Sequence, residues 1–314
     1  MATAAPEAPT PADHGPAGKG HRAIARTRRS RAFLSYWRTF RRNKQGMVGL
    51  IVLTFFVLLA LFAPALVDES RFDLLATATE PAFQPPSASH WLGTDQFGRD
   101  VLSLLMYGSR ISLLVGVVAT IVTMLIGSFV GIAAGYYGRK VDTVLSALTN
   151  WFLVIPWIAL AIVLASILGR SLFNIILVIA ITSWAGTARL VRAQTLTVKE
   201  RPYVERARAL GAGDWHLVTR HILPNVFPVI FANTVLTVAL SILSETTLAF
   251  LGLGDPNSIS WGVMIQEAFY SGALSSGWWW WLIPPGIAIV CVTLSFTMCG
   301  YALDEVLNPK LRSR

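Results

Sequence analysis

Two cysteines, five histidines, five lysines and one carboxylate deep inside an apolar run are the residues of this 314-residue chain whose types could carry chemistry. Cys291 and Cys299 share one apolar run. Eight residues of helix separate them by about 12 Å, too far for a disulfide, so both read as buried helix residues. His14, His21, His90, His216 and His221 include no pair at the i, i+4 spacing of a helical zinc site, so no metal is expected. None of Lys19, Lys44, Lys140, Lys199 and Lys310 precedes Ser or Thr, and no Gly-x-x-x-x-Gly-Lys-Ser/Thr phosphate loop occurs. No Ser-His-Asp constellation is evident either. The chain reads as non-enzymatic, with no catalytic residue and no cofactor of its own.

The elements that must position any remaining chemistry are membrane helices. Apolar residues make up 54% of the chain and charged residues 14%, where soluble domains carry roughly 25% charge. About 20 apolar residues cross the hydrocarbon core, and backbone groups in lipid must bond within their own segment. The sequence therefore predicts an all-α integral membrane protein of six spans, at 47–66, 111–134, 141–168, 172–188, 225–250 and 279–300. Met47–Leu66 is longer than a signal-peptide core and follows a long basic tail, so it reads as an uncleaved first span. Pro156 is expected to kink the third span. Gly169-Arg170-Ser171 closes a tight hairpin to the fourth, whose inner boundary is blurred by Thr182, Ser183 and Thr187.

Lys and Arg placement sets orientation. With the N-terminus inside, the inner segments hold 22 of the 26 Lys and Arg residues, and only Arg71, Arg99, Arg110 and Arg170 fall outside. Both termini are expected in the cytoplasm. The net charge of +9 is thus spread over loops and the tail, with no basic face for nucleic acid. Four units follow: a largely disordered basic tail (1–46), a first span with an external segment (47–110), a five-helix core with an inner loop at 189–224 (111–304), and a short tail (305–314). Trp278 to Trp281 read as an outer interfacial belt.

In the external segment, Val101, Leu104, Leu105 and Gly108 share a helical face, so 100–110 is expected to lie along the membrane surface. Glu245, inside the fifth span, is expected to face a cavity or a partner; it could line a path or touch a second subunit, with a structural contact favoured. Asp142 reads as a helix N-terminal charge.

The inner segment Arg201–Asn225 reads RPYVERARALGAGDWHLVTRHILPN. Pro202 suits a first helical turn, Glu205 the positive helix end, and Gly211 a stop at positive φ. Asp214 suits an N-cap for a second helix with Trp215, Val218 and Ile222 on one face, which Pro224 should end. The result is a helix-turn-helix knob held at both ends by spans. It fits either a groove on another protein or a resting place on lipid headgroups.

This segment resembles the coupling motif of ABC importer membrane subunits. Glu205, Ala207, Gly211, Leu223 and Pro224 match the motif; Arg206 and His221 depart from it. The His-Ile-Leu-Pro-Asn version is similar to that of the peptide and nickel branch. Arg41 to Gly46, Leu92 to Ser103, Phe250 to Gly254, Ser260 to Gly262, Pro284 to Gly286 and Asn308 to Leu311 resemble the second, C-type membrane subunit of dipeptide and oligopeptide permeases. The resemblance covers roughly 33–312.

The resemblance implies a type-1 ABC importer permease fold in the inner membrane. It implies a second homologous membrane subunit, two ATP-binding subunits (or a fused one) that bind ATP and Mg, and an extracytoplasmic substrate-binding protein. Glu205, Ala207, Gly211, Leu223 and Pro224 would couple to the ATPases, and Gly93, Thr94, Asp95, Gly98, Arg99 and Asp100 form an outer motif. That motif could touch the binding protein or serve as a stabilising turn. Dipeptides or oligopeptides are the implied cargo, with nickel or a haem-like ligand as alternatives. A secondary transporter would need several intramembrane coupling residues, and only Glu245 qualifies.

Overall fold

The computed structural model describes residues 36–68, 72 and 80–307. The tail at 1–35, Arg71 and the Asn308–Leu311 motif lie outside the described residues.

The apolar runs are helical because only a helix satisfies its own backbone in lipid. Helix α1 (Lys44–Leu66) is capped by the Asn43 side chain, which accepts from the Gly46 amide at 2.9 Å. A short helix over 36–42 precedes it, and Phe40 packs against Cys299 and Ala302. Residues 36–46, expected in the disordered tail, therefore belong to the fold.

Helix α2 (Val101–Tyr137) runs unbroken for 37 residues, about 55 Å. The separate surface helix expected at 100–110 is its first three turns. The Val101, Leu104 and Gly108 face packs inward on Trp261, whose indole donates to the Leu105 carbonyl at 2.9 Å. That large buried ring, presented from a later segment, is what the local pattern could not reveal.

Helices α3 (Arg139–Val154) and α4 (Trp157–Leu168) meet at 90°. Pro156 produces a full break there, since it has no N–H to offer and disfavours helix in the residue before it. Helix α5 (Leu172–Lys199) begins at a Ser171 cap and runs eleven residues past the expected end of its span. Its blurring polar residues stay inside the helix: Thr182 donates to the Val178 carbonyl at 2.8 Å. The most extensive packing in the chain joins α2 and α5. Gly131 makes this approach possible, because a Cβ there would sit 2.6 Å from the Ala188 carbonyl oxygen.

Helices α6 (Pro202–Ala209) and α7 (Asp214–Leu217) form the inner knob. A wide turn of the π type at 218–222 leads into α8 (Leu223–Leu248), and a second follows at 249–253. From Asp214 the chain thus runs on as one helix through the first wide turn, and Gly252, at φ +80°, breaks it within the second. Pro224 was expected to end the knob helix and does not. The Leu223 amide bonds five residues back to Val218, and this widened turn leaves a carbonyl outside the α-helical ladder just where proline has no donor.

Helices α9 (Trp261–Tyr270) and α10 (Ala273–Ser276) pack against α11 (Trp279–Leu307), which itself packs on α8 and α1. Only Trp279 of the four tryptophans is exposed. Trp280 and Trp281 are buried, and Trp278 stacks on Phe83 with ring centroids 3.9 Å apart. Four successive residues at the start of a helix point in different directions and cannot all face the interface. Among the described residues five helices are long and apolar enough to cross a membrane, or six if the bent α3–α4 pair counts as one.

Candidate functional site

The inner knob is built on a small core. Val204, Leu217, Ile222 and Val226 pack against Tyr136 of α2 and Val191 and Val198 of α5. Pro202 opens α6 and Glu205 lies in its first turn, as the sequence predicts. Gly211 takes φ +86°, and the next amide, Ala212, bonds back to the Ala207 carbonyl at 3.1 Å. Gly213 occupies the N-cap position expected for Asp214. The Asp214 carboxylate instead accepts the Tyr136 hydroxyl at 2.6 Å.

Trp215 was expected to share a face with Val218 and Ile222, of which Ile222 is buried. Trp215 itself is 81% exposed, and Leu217 points inward in its place. The wide turn at 218–222 alters the helical phase, so a 3.6-residue count across it misassigns the face. Of the matched motif residues, Ala207 contributes to the knob core, while Glu205, Gly211, Leu223 and Pro224 are exposed. Leu210, at 89%, and Trp215 are exposed on the knob as well. Tyr136, Lys199 and Leu210 received no role in the knob from the sequence. Lys199 donates to the Tyr136 carbonyl, and its ammonium lies 5.8 Å from the centre of that ring.

The outer motif folds as a compact knot at the start of α2. Gly93 has φ +65°, and a Cβ there would meet the Gln84 carbonyl oxygen at 2.2 Å. The Thr94 hydroxyl donates to the Pro81 carbonyl and accepts from the Gln84 amide, both at 2.9 Å. Asp95 is fully buried and accepts the amides of Phe97 and Arg99 at 2.8 Å and the Arg99 Nε at 2.6 Å. Arg99 Nη2 reaches Glu267 of α9 at 2.9 Å. Asp100 caps α2 through the Ser103 amide at 2.8 Å and also meets His90 Nδ1 at 3.2 Å. Gly98 is buried against Glu80. Burial raises the Glu267 carboxyl above its ordinary value, and Arg99 pulls it the other way. The charged residues of this motif thus point into the chain, and Trp91 and Phe97 are its exposed members.

Glu245 is 2% exposed, beside Ser260, and its Oε2 has no hydrogen-bond partner among the described residues. It is enclosed by this chain's own helices. Asp142 lies in the first turn of α3, as expected, and it also pairs with Arg192 of α5. Among the described residues no group of three His, Cys, Asp or Glu side chains is placed to hold a metal.

Residues 127–313 match the model of a family described as the binding-protein-dependent transport system inner membrane component, and 33–86 match the N-terminal transmembrane domain of oligopeptide transport permease C. The chain is similar to the dipeptide transport system permease protein DppC of Alkalihalophilus pseudofirmus, 37% identical over 89% of this chain and 92% of that one. It is similar to the oligopeptide transport system permease protein OppC of Bacillus subtilis, 37% identical over 90% and 92%. Among solved structures, an inward-facing MetNI methionine ABC transporter shares the fold at a TM-score of 0.52 and 20% identity, covering 67% of this chain and 97% of that one.

Proposed function

Because the chain belongs to the family of binding-protein-dependent transport inner membrane components, we propose that it is one membrane half of an ATP-driven importer of dipeptides or oligopeptides, coupled to its ATPases through the 201–224 knob. The peptide cargo is supported by the names of its relatives, which are dipeptide and oligopeptide permeases. The excess of Lys and Arg in the inner segments supports cytoplasmic termini, which puts the knob on the ATPase side. ATP and Mg belong to two partner subunits. A second homologous membrane subunit completes the path, and an external binding protein delivers and selects the cargo.

The observation that carries the coupling reading is the knob itself. It is seated on α2 and α5 by a buried apolar core, yet holds Leu210 and Trp215 out to solvent. Exposed tryptophans are frequent anchors in partner pockets. ATP binding closes the partner ATPases and moves the knob, and the helices fixed to it rock to alternate access. The energy is the difference in ATP affinity between the two states of the complex.

Glu205→Lys and Gly211→Pro test this. Proline cannot adopt the φ of +86° found at Gly211. Both variants are expected to insert normally but to lose peptide uptake and binding-protein-stimulated ATPase. Wild-type uptake and ATPase in both would overturn the coupling role. Uptake of nickel in place of labelled dipeptide by the assembled wild-type complex would overturn the cargo.

A further inference from the structure

Helices α2 and α5 are locked together by close approach. Gly127, Gly131 and Gly135 recur every four residues along α2, and a Cβ at each would sit 2.7 Å from Thr187, 2.6 Å from Ala188 and 2.8 Å from Thr195 of α5. Helix α3 lies against this pair quite differently. Thr149 is buried, and among the described residues it is the only member of α3 that is; its hydroxyl bonds back to Leu145 within the helix. Val144, Leu148 and Trp151 are exposed on the opposite face. Between α3 and the locked pair lies a polar cleft of about 230 Å³, lined by Ser146, Asn150, Arg189 and Arg192 among others. Three side-chain contacts join α3 to α5. Both oxygens of Asp142 take the Arg192 guanidinium, with Nη2 to Oδ2 at 2.7 Å. Asn150 Oδ1 accepts from Arg189 at 3.0 Å, and Phe152 meets Trp184 edge-on with ring centroids 5.1 Å apart.

The helix is also jointed at each end. Gly138 and Arg139 both take positive φ, at +64° and +46°. At the other end Pro156 turns the chain through 90° into α4. Helix α4 in turn ends at Gly169, φ +84°, where a Cβ would meet open space. Helices α3 and α4 are thus two rigid links with a joint at each anchor and one at the knee. Such element ends can absorb dihedral change. Links joined in this way can turn about the line between their end joints while α2 and α5 stay fixed.

We propose that α3 and α4 form a jointed arm that moves against the α2–α5 pair in each transport cycle, and that the Asp142–Arg192 ion pair is its latch. The Asp142 and Arg192 side chains keep 22% and 34% of their surface exposed. An ion pair so open to water contributes little and parts at small cost, which suits a contact made and broken in every turnover. A buried apolar seam would not part so readily. The latch also stands where motion arrives, because α5 runs on from Arg192 to Lys199 and the knob begins at Pro202. Only the trigger, ATP binding passed on by the knob, rests on the coupling reading.

The test is electron paramagnetic resonance of the assembled transporter with spin labels on Leu148→Cys of α3 and Leu190→Cys of α5. Cys291→Ala and Cys299→Ala remove the native thiols, and neither labelled site belongs to the latch. A rotation of about 15° about Gly138 carries position 148, roughly 15 Å along α3, by about 4 Å. The distance between the labels should shift by that much between the nucleotide-free and the ATP-bound, vanadate-trapped complex. Labels at Phe129→Cys of α2 and Leu190→Cys should hold their distance. Asp142→Asn should raise the share of the shifted distance about fivefold without nucleotide, and Asp142→Arg combined with Arg192→Asp should bring it back. An unchanged 148–190 distance on ATP binding overturns the arm; if the same complex takes up labelled dipeptide, the coupling reading stands without it. An Asp142→Asn complex with wild-type distances in both states overturns the latch. A complex that moves the arm on ATP binding yet carries no dipeptide upholds the arm and counts against the cargo alone.

Discussion

The Tyr136 hydroxyl donates to the Asp214 carboxylate at 2.6 Å, joining the inner end of α2 to the first turn of the helix that carries the knob. The bond spans 78 positions in sequence and fixes the knob to a second membrane helix besides its own. Asp214 is itself exposed, so water replaces part of what is lost when the bond is removed. Tyr136→Phe is expected to cost about 1 kcal/mol locally. Hydrogen exchange of the amides in 212–218 should speed up about fivefold, while exchange in the middle of α5 stays unchanged.

The outer knot should tolerate far less. Asp95→Ala leaves the Arg99 guanidinium buried with Glu267 as its remaining acidic partner, and breaking such a pair costs about 3–5 kcal/mol. The expected result is a protein that no longer survives detergent extraction in monodisperse form. Asp95→Asn retains an acceptor for the Phe97 and Arg99 amides and should lose less. Size-exclusion profiles of the two variants, compared after gentle heating, check the ranking.

Two glycines at positive φ should respond differently to alanine. At Gly211 there is open space, so Gly211→Ala bears only the backbone penalty, about 1 kcal/mol. At Gly93 the same change also drives a methyl group into the Gln84 carbonyl and the Trp280 ring. Gly93→Ala should therefore lower the melting temperature clearly, and Gly211→Ala only slightly. Equal shifts in a thermal scan would contradict the geometry.

Glu267 gives the outer face a dependence on pH. Burial raises its carboxyl above the ordinary value, so the folded chain holds this proton more tightly than the unfolded chain does. Its contribution to stability is then fully present on the acid side, and it falls as pH rises through the interval above the usual glutamate value. Glu267→Gln cannot titrate and should flatten that slope. Melting curves of both proteins across the interval decide the point.

Much of this architecture is legible in the residues because lipid leaves a chain few choices. Five apolar runs became helices close to their expected places, and Pro156 marked where the third span turns. What escaped depends on partners distant in sequence or on helical phase. Val101, Leu104 and Gly108 look amphipathic until Trp261 is seen against them. Trp215 parts from the face of Ile222 because the helix widens just beyond it. The partner of Arg99 on α9 lies 168 residues away, beyond the reach of local spacing. In the knob, Gly211 was readable because positive φ selects glycine, whereas Tyr136 carried no such local mark.

The helix that starts at Asp214 measures about 57 Å to Leu251, where Gly252, at φ +80°, turns the chain out of it. It behaves as an oar whose blade and handle lie on opposite sides of the bilayer. A swing of roughly 5° about its midpoint would carry each tip only some 3 Å, yet in opposite directions, so widening on one side accompanies narrowing on the other. The wide turn at 218–222 lies near one end of that lever, and Gly252 ends it at the other.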